Sequence, residues 1–277
     1  MTRRLRLDAE LVRRGLARSR QHAAELVAAG RVAVGGSPAT KPASQVELGA
    51  AIEVAPAARE PEYVSRGAHK LAGALDAFGD VVVAGRRCLD AGASTGGFTD
   101  VLLRRGASHV VCVDVGYGQL AWSLRQDPRV TVLDRTNVRE LTPDQVAPPP
   151  LLVVADLSFI SLRLVLPALV ACAAPDADWL LMVKPQFEVG RERLGSGGVV
   201  RDAALRAQAV VDVARAAAGE GLRVHGVVAS PLPGPSGNVE YFLWLRRAGE
   251  VSWAADAGRV TDLVRAAVDA GPAGGAR

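Results

Sequence analysis

The chain of 277 residues holds 30 arginines but only three lysines, Lys41, Lys70 and Lys184. A guanidinium keeps its proton under ordinary conditions, whereas an amine withdrawn from water approaches neutrality and can accept one, so the choice of lysine marks positions where chemistry is expected. Lys184 ends the apolar run LLMVK, Lys70 lies in the helical pattern SRGAHKLAGALDAF, Asp156 ends LLVVAD and Glu240 opens the last apolar run, EYFLWLRR. An amine set between two carboxylates suits an oxygen nucleophile that is reluctant to lose its proton, such as a ribose 2′-hydroxyl. Burial and Lys70 are expected to lower the pKa of Lys184 while the acids orient it. Taken singly, Lys70 reads equally as an exposed helix lysine, Asp156 as an N-cap and Glu240 as a surface strand residue. Their ordered occurrence at strand ends favours the joint role.

A second group lies in LDAGASTGGFTDVLL, where Gly92, Gly96 and Gly97 let the backbone turn sharply and approach a ligand at a helix N-terminus. Phe98 follows Gly97, so the Gly-Lys-Ser/Thr ending of a nucleoside triphosphate loop is missing. Ser94 interrupts the dinucleotide pattern, and the Asp90 carboxylate would repel a pyrophosphate. S-adenosyl-L-methionine carries a sulfonium and an α-amino group but no phosphate, and an acid beside an open turn suits it. Asp114, at the end of the next apolar run, is placed to accept its ribose hydroxyls. The expected cofactor site is therefore Asp90, Gly92, Ser94, Thr95, Gly96, Gly97, Phe98 and Asp114, with Arg135 and Asn137 toward the adenine. The ordinary role of those last two is loop capping, and a nicotinamide enzyme is the weaker alternative.

Other methyl acceptors fit less well. Amine methyltransferases usually carry Asn or Asp followed by Pro-Pro and an aromatic residue at the fourth strand, and DLSF at 156–159 departs from that. Base-carbon methylation through cysteine needs a thiol at a strand end, and Cys88, Cys112 and Cys172 are not clearly so placed. They read as buried free thiols without metal-ligand spacing, and no metal site is expected.

The elements that must position these residues alternate strand with helix. VVVAGRRCLDAGA, SHVVCVDVG, VTVLD, LLVVADLSF and DWLLMVKPQF are short apolar runs separated by helix-length segments, as a parallel sheet buried on both faces requires. The expectation is a doubly wound α/β domain of Rossmann-like type over 66–270, whose last runs, RVHGVVAS and NVEYFLWLRR, turn back as an antiparallel pair.

The first sixty residues differ. They carry ten Lys or Arg against six acids, while the remainder is balanced, so the whole net charge of +4 resides there. Such asymmetry is expected of a module that meets a polyanion, nucleic acid first, although a solvated helix face reads equally from charge alone. A helix over 5–15, a second from Ser19 to Gly30, a strand at Val32–Val34, a Gly-Gly turn and an alternating strand VELGAAIEV make a small α+β domain over 1–58, with a linker at 59–65. No aromatic residue precedes Tyr63, which favours recognition of folded RNA by shape over base stacking.

RLDAELVRRGLARSRQHAAELVAAGRVAVGG resembles the RNA-binding domain named after ribosomal protein S four, which implies phosphate contacts from Arg6, Arg13, Arg14, Arg18 and Arg20. The ordered set Lys70, Asp156, Lys184, Glu240 resembles the Lys-Asp-Lys-Glu tetrad of FtsJ-like RNA 2′-O-methyltransferases. With YVSRGAHKL, LDAGASTGGFTD, VVADLSFISL, VKPQFE, GGVVRD and GPSGNVEYF, the likeness extends to the TlyA family over nearly the whole chain. That resemblance implies an AdoMet-dependent cytidine 2′-O-methyltransferase of small- and large-subunit ribosomal RNA, with the tetrad catalytic. The alternative in a different class is a non-catalytic RNA-binding or ribosome-assembly factor. Members are often labelled haemolysins, yet no apolar run here approaches the length of a membrane span, and cytolysis is not expected. The basic amino terminus has no apolar core, so a cytoplasmic location is expected.

Overall fold

The computed structural model describes residues 4–17, 19–28, 30–55, 63–234, 236–249 and 252–271. They form two compact units that divide between Glu62 and Tyr63.

In the first unit, β1 (Arg4–Arg6) leads into α1 (Leu7–Arg13) and α2 (Arg20–Ala28), followed by β2 (Val32–Val34), β3 (Ser37–Pro38), β4 (Gln45–Glu47) and β5 (Ile52–Val54). Leu7, Leu11, Ala23, Leu26, Val27, Val32 and Val46 form its core. The Ser19 hydroxyl accepts from the His22 amide at 3.1 Å, the N-cap role expected of it. Two expectations are corrected. Leu5 is not helical; it pairs with Val46 across the β1–β4 ladder. VELGAAIEV is not one strand, because a turn closed by Ala50 N to Glu47 O at 3.0 Å sends its halves to different sheets, β4 to β1 and β5 to β2.

In the second unit, α3 (Ala68–Phe78) precedes β6 (Arg87–Ala91), α4 (Gly97–Arg104), β7 (His109–Val113), α5 (Trp122–Arg125), β8 (Val130–Leu133) and α6 (Pro143–Val146). Then come β9 (Leu152–Ala155), α7 (Leu166–Cys172), β10 (Asp178–Val183), α8 (Pro185–Glu188), α9 (Ala203–Gly219), β11 (Leu222–Ala229), β12 (Tyr241–Arg247) and α10 (Trp253–Ala270). The sheet order is β11-β12-β10-β9-β6-β7-β8. β12 runs antiparallel to both neighbours and the β10-to-β8 half is parallel, the doubly wound fold with an antiparallel end.

Side-chain alternation along the strands builds two cores. Leu89, Val111, Val153, Leu181 and Leu243 face α7, α9 and α10, while Cys88, Val110, Leu152, Leu180 and Phe242 face α3 and α4. The expected first strand is shorter than its apolar run. Val81 and Val83 are buried in the second core, but the backbone turns at Gly85 (φ +74°), and the strand starts only at Arg87. β6 lies between β7 and β9, so the order in which strands are added to the sheet reverses there and a crevice opens beyond the carboxyl ends of these parallel strands.

Candidate active site

Asp156 follows the last residue of β9, and Lys184 the last residue of β10. Pro185 holds Lys184 extended (φ −109°, ψ 101°) before the α8 turn begins, as the residue ahead of a proline requires. The Lys184 ammonium stands 2.6 Å from Asp156 Oδ1, an ion contact without the alignment of a directed hydrogen bond, and it donates to Ser158 Oγ at 2.9 Å. From the other side, Lys70 in the first turn of α3 donates to Glu240 Oε2 at 2.5 Å. Glu240 is wholly buried, and Lys70 and Lys184 nearly so. The four charged residues thus form two ammonium–carboxylate pairs, one lysine to each acid.

Lys70, Asp156, Ser158 and Lys184 line a cavity of about 250 Å³, together with Gly92, Ser94, Thr95, Gly97 and Phe98 from the glycine turn. A second cavity of about 440 Å³ adjoins it, sharing Gly92, Ser94, Asp156 and Ser158 and extending to Asp114, Asn137 and Phe159. Glycine is required at the junction. A Cβ on Gly92 (φ +86°) would lie 2.7 Å from the Asp156 carbonyl oxygen, and one on Gly97 would lie 2.9 Å from the Ala68 amide nitrogen.

Asp114 lies in the wall of the larger lobe, its Oδ2 accepting from the Ser94 amide at 2.8 Å and its Oδ1 from the Gly116 amide at 2.7 Å. Each oxygen retains a lone pair for a ligand. Asn137 also lines that lobe, but its side chain caps the turn at 138–140, accepting from Arg139 N at 3.1 Å and donating to Glu140 at 3.0 Å. Arg135 does not line the lobe; its guanidinium lies 4.3 Å from the Tyr117 ring centroid.

Asp90 and Gly96 stand apart from the other expected contacts, since neither lines either lobe. Gly96 takes the left-handed conformation (φ +97°) that caps α4. Asp90 is wholly buried beneath the turn, where Thr99 donates to its Oδ2 at 2.7 Å and Oδ1 has no hydrogen-bond partner among the described residues. Burial, reinforced by Asp156 and Asp114, pushes its carboxyl up to about 7 against the pull of the Thr99 hydroxyl. It is no exposed anion at the cleft.

All three cysteines are buried, and burial raises each thiol, Cys88 to about 12 and Cys172 to about 11. None lines either lobe. Among the described residues no cluster suits a metal ion, and no helix is long and apolar enough to cross a membrane.

In the first unit, Arg6, Arg13 and Arg20 are about half exposed and rest on Asp8 or Glu10. Arg14, expected as a phosphate contact with the others, is also held within the protein. It donates to Glu10 at 2.7 Å and to the carbonyls of Ala50 and Leu48 at 2.8 Å, so it braces α1 against the β4–β5 turn. Arg18 lies outside the described residues.

Sequence reasoning did not single out Ser158, Phe159 or Glu188. Phe159 is 91% exposed, takes φ +65°, and packs its ring 5.3 Å from Phe187 at the edge of the larger lobe. An apolar side chain so placed at a cleft is set to stack on a planar ligand group. The signal was present in DLSF, where a serine and an aromatic follow the strand-end acid, but nothing local separates them from an ordinary loop.

Comparison with known proteins finds the FtsJ-like methyltransferase family matching residues 63–247 and the S4 domain matching residues 5–52. The chain is 63% identical, over 98% of its length and 100% of the relative's, to a Mycobacterium tuberculosis protein named 16S/23S rRNA (cytidine-2′-O)-methyltransferase TlyA. It is 35% identical, over 86% of its length and 98% of the relative's, to Hemolysin A of Brachyspira hyodysenteriae. A solved structure from Streptococcus thermophilus, labelled a hemolysin, is similar with a TM-score of 0.70 and 35% identity, 97% of each chain being covered.

Proposed function

The chain belongs to the TlyA family of FtsJ-like methyltransferases, and on that premise we propose that it methylates cytidine 2′-hydroxyls in 16S and 23S ribosomal RNA with S-adenosyl-L-methionine. The observation that carries this reading is the Lys184–Asp156 contact of 2.6 Å in the wall of a lobe that opens into the Asp114 lobe. A proton-handling pair thus adjoins a cofactor-sized cavity.

The larger lobe fits the cofactor. Its volume of about 440 Å³ lies within the range of small-molecule sites. The free lone pairs of Asp114 suit a ribose diol, and Gly92 and Gly97 keep side chains out of the turn that borders it. Acids at Asp114 and Asp156 suit a ligand bearing an ammonium and a sulfonium. When bound, this group supplies an electrophilic methyl carbon.

The chain's own residues orient the acceptor and manage its proton. Ser158 and Asp156 hold the Lys184 head in place, so that its remaining hydrogen-bonding direction faces the 2′-oxygen. As that oxygen attacks, its proton is relayed through the Lys184 ammonium, which gives one of its own protons to the Asp156 carboxylate and stays positively charged to offset the negative charge that develops on the oxygen. Lys70, held by Glu240, adds a second cation to the wall of the same lobe. Phe159 stacks on an exposed or flipped base at the mouth. Arg6, Arg13 and Arg20 of the first unit contact RNA phosphates, which position the substrate and read little sequence.

The test is ribose-methylation mapping on ribosomal RNA incubated with AdoMet and either wild-type protein or Lys184→Ala. Wild type is expected to add 2′-O-methyl marks on cytidine, and the variant to slow turnover by roughly 10²- to 10⁴-fold while still binding AdoMet. Absence of marks would return the chain to the class of RNA-binding assembly factors, and turnover that survives the substitution would overturn the role of Lys184.

A further inference from the structure

The parallel ladder between β9 and β10 ends at Ala155 and Leu181. Asp156 and Lys184 both lie beyond it, where no strand hydrogen bonds fix one segment against the other. Side chains do that work, at two points. At the near end, Lys184 contacts Asp156 at 2.6 Å and Ser158 at 2.9 Å. At the far end, Glu188 accepts from Ser161 Oγ at 2.6 Å and from the Leu162 amide at 2.8 Å, while Arg163 donates to its carboxylate at 3.3 Å.

Lys184, the extended residue ahead of α8, and Glu188, the last residue of that turn, bracket α8, and both side chains reach the loop that follows β9. Between the two anchors the loop passes through Phe159, whose positive φ is costly for a residue with a side chain and persists only where the surroundings impose it. The Glu188 side chain is 1% exposed, so its carboxylate serves these loop donors rather than solvent.

We infer that Glu188 is a positioning residue of this active site, stapling the far end of the 156–163 loop to the turn that follows Lys184 and so holding Asp156 and Ser158 against the Lys184 head. The inference rests on the reading of Lys184 as the group that meets the ribose hydroxyl. Glu188 lines neither lobe that holds Lys184 and acts only through its neighbours. Without its carboxylate, the Leu162 amide and the Ser161 hydroxyl lose their acceptor, and the loop is released at one end.

The test compares Glu188→Ala with Glu188→Gln in the full chain. An amide can still accept from Leu162 and donate to Ser161 Oγ, so Gln is expected to keep kcat within about threefold. Ala is expected to lower kcat by roughly ten- to a hundredfold with KM for AdoMet changed by less than about threefold, because misplacement, not cofactor binding, is what changes. Combined with Ser158→Ala, the loss is expected to be smaller than the product of the single losses, since both act through Lys184. Equal losses for Ala and Gln, a change confined to KM, or a full product in the double variant would each overturn the inference.

If Glu188→Ala does not fold, Ser161→Ala removes one bond of the staple. The same less-than-multiplicative coupling to Ser158→Ala is expected there, and independence overturns the proposal. Hydrogen exchange in 156–163 gives a reading that needs no activity: protection is expected to fall in the released variant and to hold in Gln, and unchanged protection rules the staple out. An inactive wild type would instead overturn the methyltransferase reading, with the exchange result still deciding on the staple.

Discussion

Lys70 and Glu240 stand 170 positions apart, yet their side chains meet at 2.5 Å with 10% and 0% exposure. One comes from the helix ahead of the sheet and the other from the residue that leads into β12, so the pair joins the two ends of the second unit beside the smaller lobe.

Breaking this pair from one side strands a charge in a dry environment. Glu240→Ala is expected to cost about 3–5 kcal/mol of stability, read by urea denaturation, because the Lys70 ammonium is left buried without its acid. The double variant Lys70→Met, Glu240→Leu should recover most of that loss without restoring methyl transfer. A single-variant cost below about 1 kcal/mol would show that water reaches the pair.

Asp114 is expected to govern cofactor affinity rather than the chemical step. Asp114→Ala removes a carboxyl acceptor from the larger lobe and two bonds that shape the glycine turn. AdoMet binding by calorimetry should weaken by roughly 10- to 150-fold, the equivalent of one hydrogen bond to a charged group. Unchanged affinity would place the ribose elsewhere.

The buried Asp90 gives stability a pH dependence. Its folded pKa, about 7, exceeds its reference value of 3.8, so the native state binds the proton more tightly than the unfolded chain. Its favourable contribution is therefore fully present below about 4 and is lost as pH rises through about 7. Asp90→Asn keeps an acceptor for Thr99 and cannot ionise. Its melting temperature should gain on wild type by roughly 5 °C between pH 5 and pH 8 in thermal scans; a constant difference would show that Asp90 does not titrate in that range.

Arg14 and Arg20 are expected to separate structure from RNA binding. Arg20 is 59% exposed, and Arg20→Ala should lower the slope of log affinity against log salt by about one with little change in melting. Arg14, with 23% exposure and bonds to two backbone carbonyls, should instead lower the melting temperature when changed to Ala. Identical behaviour of the two variants in both assays would contradict the brace.

What the sequence by itself determined are the features carried by neighbouring residues. Apolar runs buried on both faces specified a parallel sheet, Gly92 and Gly97 marked a turn that tolerates no side chain, and Lys70, Asp156, Lys184 and Glu240 could be named from residue type and from where runs end. Only the tertiary structure decided partnership. It set Lys70 on Glu240 and Lys184 on Asp156, divided VELGAAIEV between two sheets, drew Asp90 beneath the loop, made Arg14 a brace and brought Glu188 to the loop behind Asp156. The reason is physical: periodicity and turn propensity act over a few residues, whereas burial and ion pairing depend on which distant segments the sheet order brings together.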